Sequence, residues 1–345
     1  MEQIRTKPDP GARGWVIRDE VVRLRVFGTD TTYELAGESA WTIGASDECS
    51  IRLDDPSGRV SRKHAVLQRR GTDWVLSDLG STNGIRRDGD ALNTFAVAPA
   101  SEIELGGVKL IAESMRSIQL RALLCRFLGW KSSRAIDVDR GLYALRELGN
   151  LRTTVTLRGE GTLVGIARRL HATILGAERP YIVHADNETG MQALARATDG
   201  ILVVHCAQLP VDIEHVVLSL RLPDTRVGLV ALSNSDADAA KLGTLTRRSV
   251  TIPIPSLAER REELGRVLEA YAVDAVSQLG AASGGLRPHD LQWILDSGIT
   301  THADAEEVLL RVIALRNWGV THGANRLGIT HGALSRWARR RGIPT

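Results

Sequence analysis

Long apolar runs are missing from this chain. None reaches the roughly eighteen residues that a membrane-spanning helix requires, so the sequence predicts no such helix. The opening Met1–Pro10 is polar and charged, without the apolar stretch of a secretory leader, and none is expected. Cysteine is scarce. Cys49, Cys125 and Cys206 stand far apart with no paired spacing, which argues against a disulfide framework or a zinc site and for reduced thiols in a cytoplasmic protein. No G-x-S-x-G elbow, H-E-x-x-H pair or C-x-x-C motif occurs, and the nine histidines are scattered. Neither an enzyme nor a bound cofactor or metal is therefore expected. What remains is an ordinary globular composition over 345 residues, 43% hydrophobic and 25% charged. That length allows roughly two or three domains, each with a core of its own.

Lysine is also nearly absent, at five of the 44 basic residues, which leaves 39 arginines. The charge is unevenly placed. From Val308 to Thr345 there are seven arginines and no acid, and +7 there against the chain's +3 leaves −4 for residues 1–307. A basic end on a mildly acidic body predicts a module for a polyanion.

Residues 15–112 read as short strands. Val22, Leu24 and Val26 alternate with polar partners, as do Ile51 and Leu53, and Ile103 and Leu105. Turn clusters such as Asp54-Asp55-Pro56-Ser57-Gly58 and Ser81-Thr82-Asn83-Gly84 separate them, which predicts an all-β sandwich. From Glu113 the spacing of Met115, Ile118, Leu120, Leu123, Leu124 and Phe127 becomes helical, so 113–150 is expected to be a helical linker. Beyond it, apolar runs at Thr154–Leu157, Tyr181–Val183, Ile201–Val204 and Val227–Leu232 alternate with helical stretches. That rhythm predicts an α/β layer with a parallel sheet over 151–300. A helical lid from Leu257, interrupted at Gly280–Gly285, is expected to close it.

The stretch Ile43-Gly44, then Val60-Ser61-Arg62-Lys63-His64-Ala65, then Asp78-Leu79-Gly80-Ser81-Thr82-Asn83-Gly84 resembles a forkhead-associated (FHA) domain in order and spacing. The resemblance implies a sandwich that binds phosphothreonine peptides through loops at one end. It puts Ser61 and Arg62 on the phosphate, adds Thr82, and has Asn83 hold the peptide backbone, while His64 braces the loops. A hydroxyl, a guanidinium and an amide are the donors that a phosphate with nearly two charges requires. The family's arginine after the glycine is here Ala45. One lost charge-assisted bond costs about 1.5–3 kcal/mol. Arg59, beside an apparent insertion at Ser57-Gly58, is the candidate replacement. The alternative is a sandwich kept for its architecture alone.

Pro255-Ser256-Leu257-Ala258-Glu259-Arg260-Arg261-Glu262-Glu263-Leu264 resembles a signature of bacterial enhancer-binding proteins, the AAA+ activators of sigma-54 RNA polymerase. By that resemblance Arg226–Asn234 corresponds to the sensor-I strand, Gly200–Pro210 to the Walker B strand and Val155–Thr162 to the phosphate loop. The chemistry is missing. Gly159-Glu160-Gly161-Thr162 runs into Leu163 without the lysine of a Walker A loop, and Val204-His205 stands where an acidic pair would activate water. A degenerate AAA+-like core without ATPase activity is therefore expected, with nucleotide binding as the rival reading.

The C-terminus, 303–345, carries an all-α module. Ala305–Asn317 is amphipathic and ends at Trp318-Gly319; Thr321 then caps a short helix through Leu327. Gly328 breaks that helix, and Thr330 caps another from His331 to Arg341. Gly323-Ala324-Asn325-Arg326-Leu327-Gly328-Ile329-Thr330-His331-Gly332-Ala333-Leu334-Ser335-Arg336 resembles the Fis-type helix-turn-helix of the same enhancer-binding family. With Leu334 and Trp337 inward, Thr330, His331, Ser335, Arg336, Arg339 and Arg340 become the DNA-binding candidates.

The whole sequence thus predicts a cytoplasmic, nucleoid-associated transcription regulator of three modules. Its expected partners are double-stranded DNA, a phosphothreonine protein linked to a Ser/Thr kinase, and a second copy paired through the Ala305–Asn317 helix. A phosphopeptide-binding scaffold with secondary DNA contact is the alternative.

Overall fold

Apolar–polar alternation in the first hundred residues produces eleven short strands in a computed structural model that describes residues 19–149, 154–222, 224–243, 249–282 and 286–343. The expected module limits at 15 and 151, the Ser283–Gly285 part of the predicted lid break and the last two residues of the 303–345 module lie outside the described residues. The strands are β1 Val21–Val26, β2 Thr32–Glu34, β3 Ala40–Gly44, β4 Ile51–Arg52, β5 Ala65–Arg70 and β6 Asp73–Asp78. They continue as β7 Ile85–Arg87, β8 Asp90–Leu92, β9 Thr94–Val97, β10 Glu102–Leu105 and β11 Val108–Ser114. Two sheets form, ordered β2-β1-β11-β10-β7-β8 and β4-β3-β5-β6-β9. Leu24, Ile43, Leu67, Trp74, Leu76 and Ile103 fill the space between them. Period-2 alternation then sends Arg23, Arg25, Ile111 and Glu113 to the outer face of the first sheet.

That outer face is covered. Ser114 is both the last residue of β11 and the N-cap of helix α1 (Met115–Leu128), in a reciprocal box with Ser117. No free segment separates the sandwich from this helix. Helix α2 (Ala135–Gly149) carries Asp139, which takes Arg25 bidentately at 3.0 and 2.6 Å and the Gly28 amide at 2.7 Å. Arg25 also donates to Glu113 at 2.7 Å, and all three charges are buried. At the other end of α2, Arg146 donates to Asp88 at 2.8 Å and to the Ala100 carbonyl at 2.9 Å. The segment expected as a linker over 113–150 is thus largely helical, yet it does not bridge open space as a linker does. Leu120, Leu124, Phe127, Leu142 and Leu145 lie in the same apolar core as the parallel sheet. Met115, counted on the apolar stripe in the sequence, is exposed because the cap turns it outward.

That sheet has five strands: β12 Thr154–Gly159, β13 Tyr181–Val183, β14 Gly200–His205, β15 Val227–Ser233 and β16 Ser249–Ile254. Their order is β13-β14-β15-β12-β16, and each pairs in parallel with its neighbour. Helices α1, α2 and α3 (Val164–Leu175) bury against Ile201, Val203, Val230 and Leu232 on one face. The short helices α4 (Gly190–Arg196), α5 (Ile213–Ser219) and α6 (Asp236–Gly243) cover Leu202, Val204, Leu229 and Ala231 on the other.

A 3-10 stretch, Leu257–Glu263, leads into α7 (Leu264–Leu279), α8 (Pro288–Asp296), α9 (His302–Leu327) and α10 (His331–Arg340). Gly319 interrupts α9 with φ 64° and ψ −170°, a backbone state that glycine adopts without steric cost. The expected break is there, but helix resumes directly and Thr321 lies inside it rather than capping it. Ala305, Val308, Leu309, Val312 and Ile313 are buried in the shared core, where α9 packs on α7. The face expected to pair with a second copy is therefore used within this chain. Among the described residues, no helix is long and apolar enough to cross a membrane.

Candidate functional site

The sandwich gathers three loops at one end: 45–50, 53–64 and 79–84. His64 ties two of them together. Its Nδ1 accepts from the Ser61 amide at 3.0 Å, which requires the proton on Nε2, and Nε2 lies 2.9 Å from the Gly84 carbonyl that receives it. The ring is fully buried. Gly44 permits the third loop to close. A Cβ there would stand 2.2 Å from the Arg62 carbonyl, where the Ala45 and Ser46 amides reach across to Ser61 and Arg62, each at 3.1 Å.

On this frame Ser61 Oγ accepts from the Thr82 amide at 3.2 Å, leaving the hydroxyl proton free to donate. Asn83 Nδ2 donates to the Arg59 carbonyl at 2.8 Å and keeps its second hydrogen and its Oδ1 available. Arg59, Arg62, Thr82 and Asn83 are exposed and Ser61 is half-buried. Neither Arg59 nor Arg62 pairs with an acid among the described residues, whereas neighbouring Lys63 is held by Glu48 at 3.3 Å. The five candidates read from the sequence thus converge on one rim, and Ala45 leaves a gap in its positive charge. The stem of Arg59 runs beside the β10–β11 turn, its Cδ 3.7 Å from where a Cβ on Gly107 would stand.

Two organising acids escaped the sequence reading. Asp55 accepts from the Ser57 amide and hydroxyl at 3.0 and 2.5 Å and from the Val60 amide at 2.6 Å. The Ser57 hydroxyl bond first, then the Val60 amide, hold its carboxyl below the usual range. Asp78 likewise accepts from the Gly80 and Ser81 amides and the Ser81 hydroxyl, and Ser81 Oγ in turn receives the Gly84 amide at 2.9 Å. The signal was present: Asp two or three residues ahead of Ser marks a side chain closing its own turn.

At the opposite end of the chain, Thr330 Oγ accepts from the Ala333 amide at 3.2 Å and starts α10. Leu334, Trp337 and Ala338 are buried against α9 and its surroundings. Arg311 and Arg341 lie 5.3 and 5.0 Å from the Trp337 ring. This leaves Thr330, His331, Arg336, Arg339 and Arg340 exposed, with Ser335 half-buried between them. None of the three arginines pairs with an acid among the described residues, while Arg316 on α9 is fixed by Asp290 at 2.6 Å.

Beyond the C-terminal ends of the parallel strands, where open α/β sheets hold ligands, the turn after β12 is occupied by protein. A Cβ on Gly161 would stand 3.0 Å from Thr301, the N-cap of α9. Arg158 pairs with Asp236, and His205 ends β14 where an acid pair was sought. Among the described residues no cluster of three or more His, Cys, Asp or Glu can hold a metal ion.

A β-sandwich with polar loops gathered at one end is the class that this geometry defines. Residues 41–106 match the family model of the FHA domain, and the N-terminal sandwich is an FHA domain. A similar relative is "FHA domain-containing protein FhaB" of Mycolicibacterium smegmatis, 36% identical over 63 residues, or 18% of this chain and 39% of that protein. Another is the "Oxoglutarate dehydrogenase inhibitor" of Corynebacterium jeikeium, 30% identical over 77 residues, or 22% of this chain and 52% of that one. The chain therefore spans about half or less of the length of these curated relatives. Among solved structures, "Mycobacterium tuberculosis EmbR in complex with low affinity phosphopeptide" is 27% identical, with 27% of this chain and 24% of that one covered at a TM-score of 0.25. A chain from "Structural and functional analysis of phosphothreonine-dependent FHA domain interactions" is 30% identical, with 26% and 93% covered at a TM-score of 0.25.

Proposed function

We propose that this chain is a DNA-binding transcription regulator in the cytoplasm, without ATPase activity. Its FHA domain binds a phosphothreonine peptide on a partner linked to a Ser/Thr kinase, and α10 reads duplex DNA. The observation that carries the DNA half is the division of α10. One face is locked inward by Leu334 and Trp337, and the other offers His331, Arg336, Arg339 and Arg340 free of acidic partners. The N-terminal half of such a helix meets base edges in the major groove while arginines further along meet phosphates. The phosphopeptide half is supported by the convergence of Ser61, Arg62, Thr82 and Asn83 on one rim.

The AAA+-like reading of the middle is supported by topology. The three segments matched to phosphate loop, sensor I and Walker B lie on β12, β15 and β14, which are adjacent in the sheet. Against catalysis stand the missing lysine and acids, together with the contact of Gly161 on Thr301. Equilibrium dialysis with ATP and magnesium tests the nucleotide-binding rival.

The deciding experiment measures binding of the full chain to selected and random duplexes across a salt series. Arg339→Ala and Arg340→Ala each lower the salt slope by about one unit on every sequence. Arg336→Ala costs about 1–3 kcal/mol at one position of the site. Identical behaviour of all three variants on both duplexes would leave only a nonspecific basic arm. In that case the scaffold reading, with phosphopeptide affinity far above DNA affinity, takes its place.

A further inference from the structure

The positive charge missing at Ala45 is not made up by the loop that carries it. In loop 45–50 Asp47 and Glu48 are exposed, and they engage Arg52 and Lys63. Those two cations are already balanced. The free ones are Arg59 and Arg62 on loop 53–64, whose guanidinium groups meet no acid among the described residues. A phosphate with nearly two charges is drawn to that side of the rim.

The backbone of Arg59 is held from several directions. Its carbonyl receives an Asn83 Nδ2 hydrogen at 2.8 Å. Gly106, in the β10–β11 turn, comes so close to the same carbonyl that a Cβ would stand 2.3 Å from its oxygen. On the other flank Asp55 accepts from the Val60 amide at 2.6 Å and the Ser57 hydroxyl at 2.5 Å, which closes the turn around Arg59. Val60 is buried in the sandwich core, and its neighbours Arg59 and Ser61 are left at the surface. An exposed side chain that only needs solvation requires no such frame. A binding group gains from it, because less conformational freedom is lost when the ligand arrives.

We propose that Arg59 is the phosphate clamp of this rim, in place of an arginine at position 45, and that Asn83 is a positioning residue acting through it. The proposal rests on the phosphothreonine reading and deepens it. Arg59 supplies charge-assisted donors to the phosphate oxygens, two residues along the chain from the Ser61 hydroxyl. Asn83 is first a strut. One amide hydrogen fixes the clamp, and the other hydrogen and Oδ1 stay available to the peptide.

Calorimetric titration of the full chain tests this, with two phosphothreonine peptides and their unphosphorylated forms. One peptide is free of Asp and Glu, and the other carries Asp beside the phosphothreonine. Arg59→Ala weakens both phosphorylated peptides about ten- to a hundredfold and leaves the melting temperature near the parent's. Adding Ala45→Arg to that chain recovers affinity. Asn83→Ala costs a smaller factor in the Arg59→Ala chain than in the parent, because part of its effect passes through the clamp. Should Arg59→Ala fail to fold, Arg59→Gln, which keeps the stem, carries the same comparison. A phospho-selective parent indifferent to Arg59 overturns the proposal. So does a loss confined to the Asp-bearing peptide, which would make Arg59 a carboxylate reader. Equal Asn83→Ala factors in the two chains overturn the strut. A parent that binds phosphorylated and unphosphorylated forms alike removes the phosphothreonine reading itself, which is a different result.

Discussion

At the scale of single residues, the loop rim of the FHA domain depends on groups that touch no ligand. His64 spends both ring nitrogens on the loops it joins, so His64→Ala should cost the domain stability as well as affinity. Ser61, Arg62 and Asn83 lie on the accessible rim, and Ser61 and Asn83 each keep hydrogen-bonding capacity beyond the single loop bond they make. Alanine at any of the three should weaken a phosphothreonine peptide by about 1–3 kcal/mol and lower the melting temperature less than His64→Ala does. Calorimetric titration against phosphorylated and unphosphorylated forms checks this, and equal binding of both by the parent ends the phosphothreonine reading. Ala45→Arg should tighten binding, since position 45 sits on the same loop frame and adds the missing positive charge.

At the scale of elements, two junctions hold the molecule together, and each rests on buried polar groups. Asp139 on α2 is matched to Arg25 on β1, and Asp139→Ala would leave the guanidinium buried with one acid fewer. Breaking a buried pair in this way costs about 3–5 kcal/mol, readable as a lower denaturant midpoint. The second junction is where α1 meets α9. The His302 ring stands edge-on to Phe127 at 5.4 Å and its Nδ1 is 3.3 Å from the Tyr271 hydroxyl. Burial first, and the Arg260 guanidinium next, push the imidazole down to about 3. The folded state thus keeps it neutral, while the unfolded chain takes up a proton near the ordinary value of 6.5. Its contribution to stability is complete above that value and is lost as pH falls from there toward 3. Melting temperatures recorded between pH 7 and 4 should fall less steeply for His302→Gln than for the parent. Equal slopes would mean that other groups govern the acid response.

At the scale of the whole molecule, the FHA domain is joined to the rest by a covered sheet face rather than by a tether. Arg23, Arg25, Ile111 and Glu113 would all face water in a fragment ending at Ser114. Amide exchange in β1 and β11 should therefore be faster in that fragment than in the full chain, while β5 and β6, on the other sheet, change little. Uniform protection in both would show that α1 and α2 do not support the sandwich.

How much of this was legible in the sequence depends on the range of the forces involved. Strand alternation, the β-then-α rhythm, the Gly319 and Gly328 breaks and the Thr330 cap are local effects, set by side-chain periodicity and backbone sterics within a few residues. The FHA loop set was legible too, because its polar residues sit in short, ordered motifs. By themselves these determined the sandwich, the parallel layer, the helical end and which residues stand on the rim. Other features required partners remote in sequence. Arg25 meets Asp139 more than a hundred residues away, so nothing near either one marks the pair as buried. The apolar face of α9 reads the same whether it meets α7 or a second chain. Only tertiary packing decided that it is spent inside the molecule, against α7.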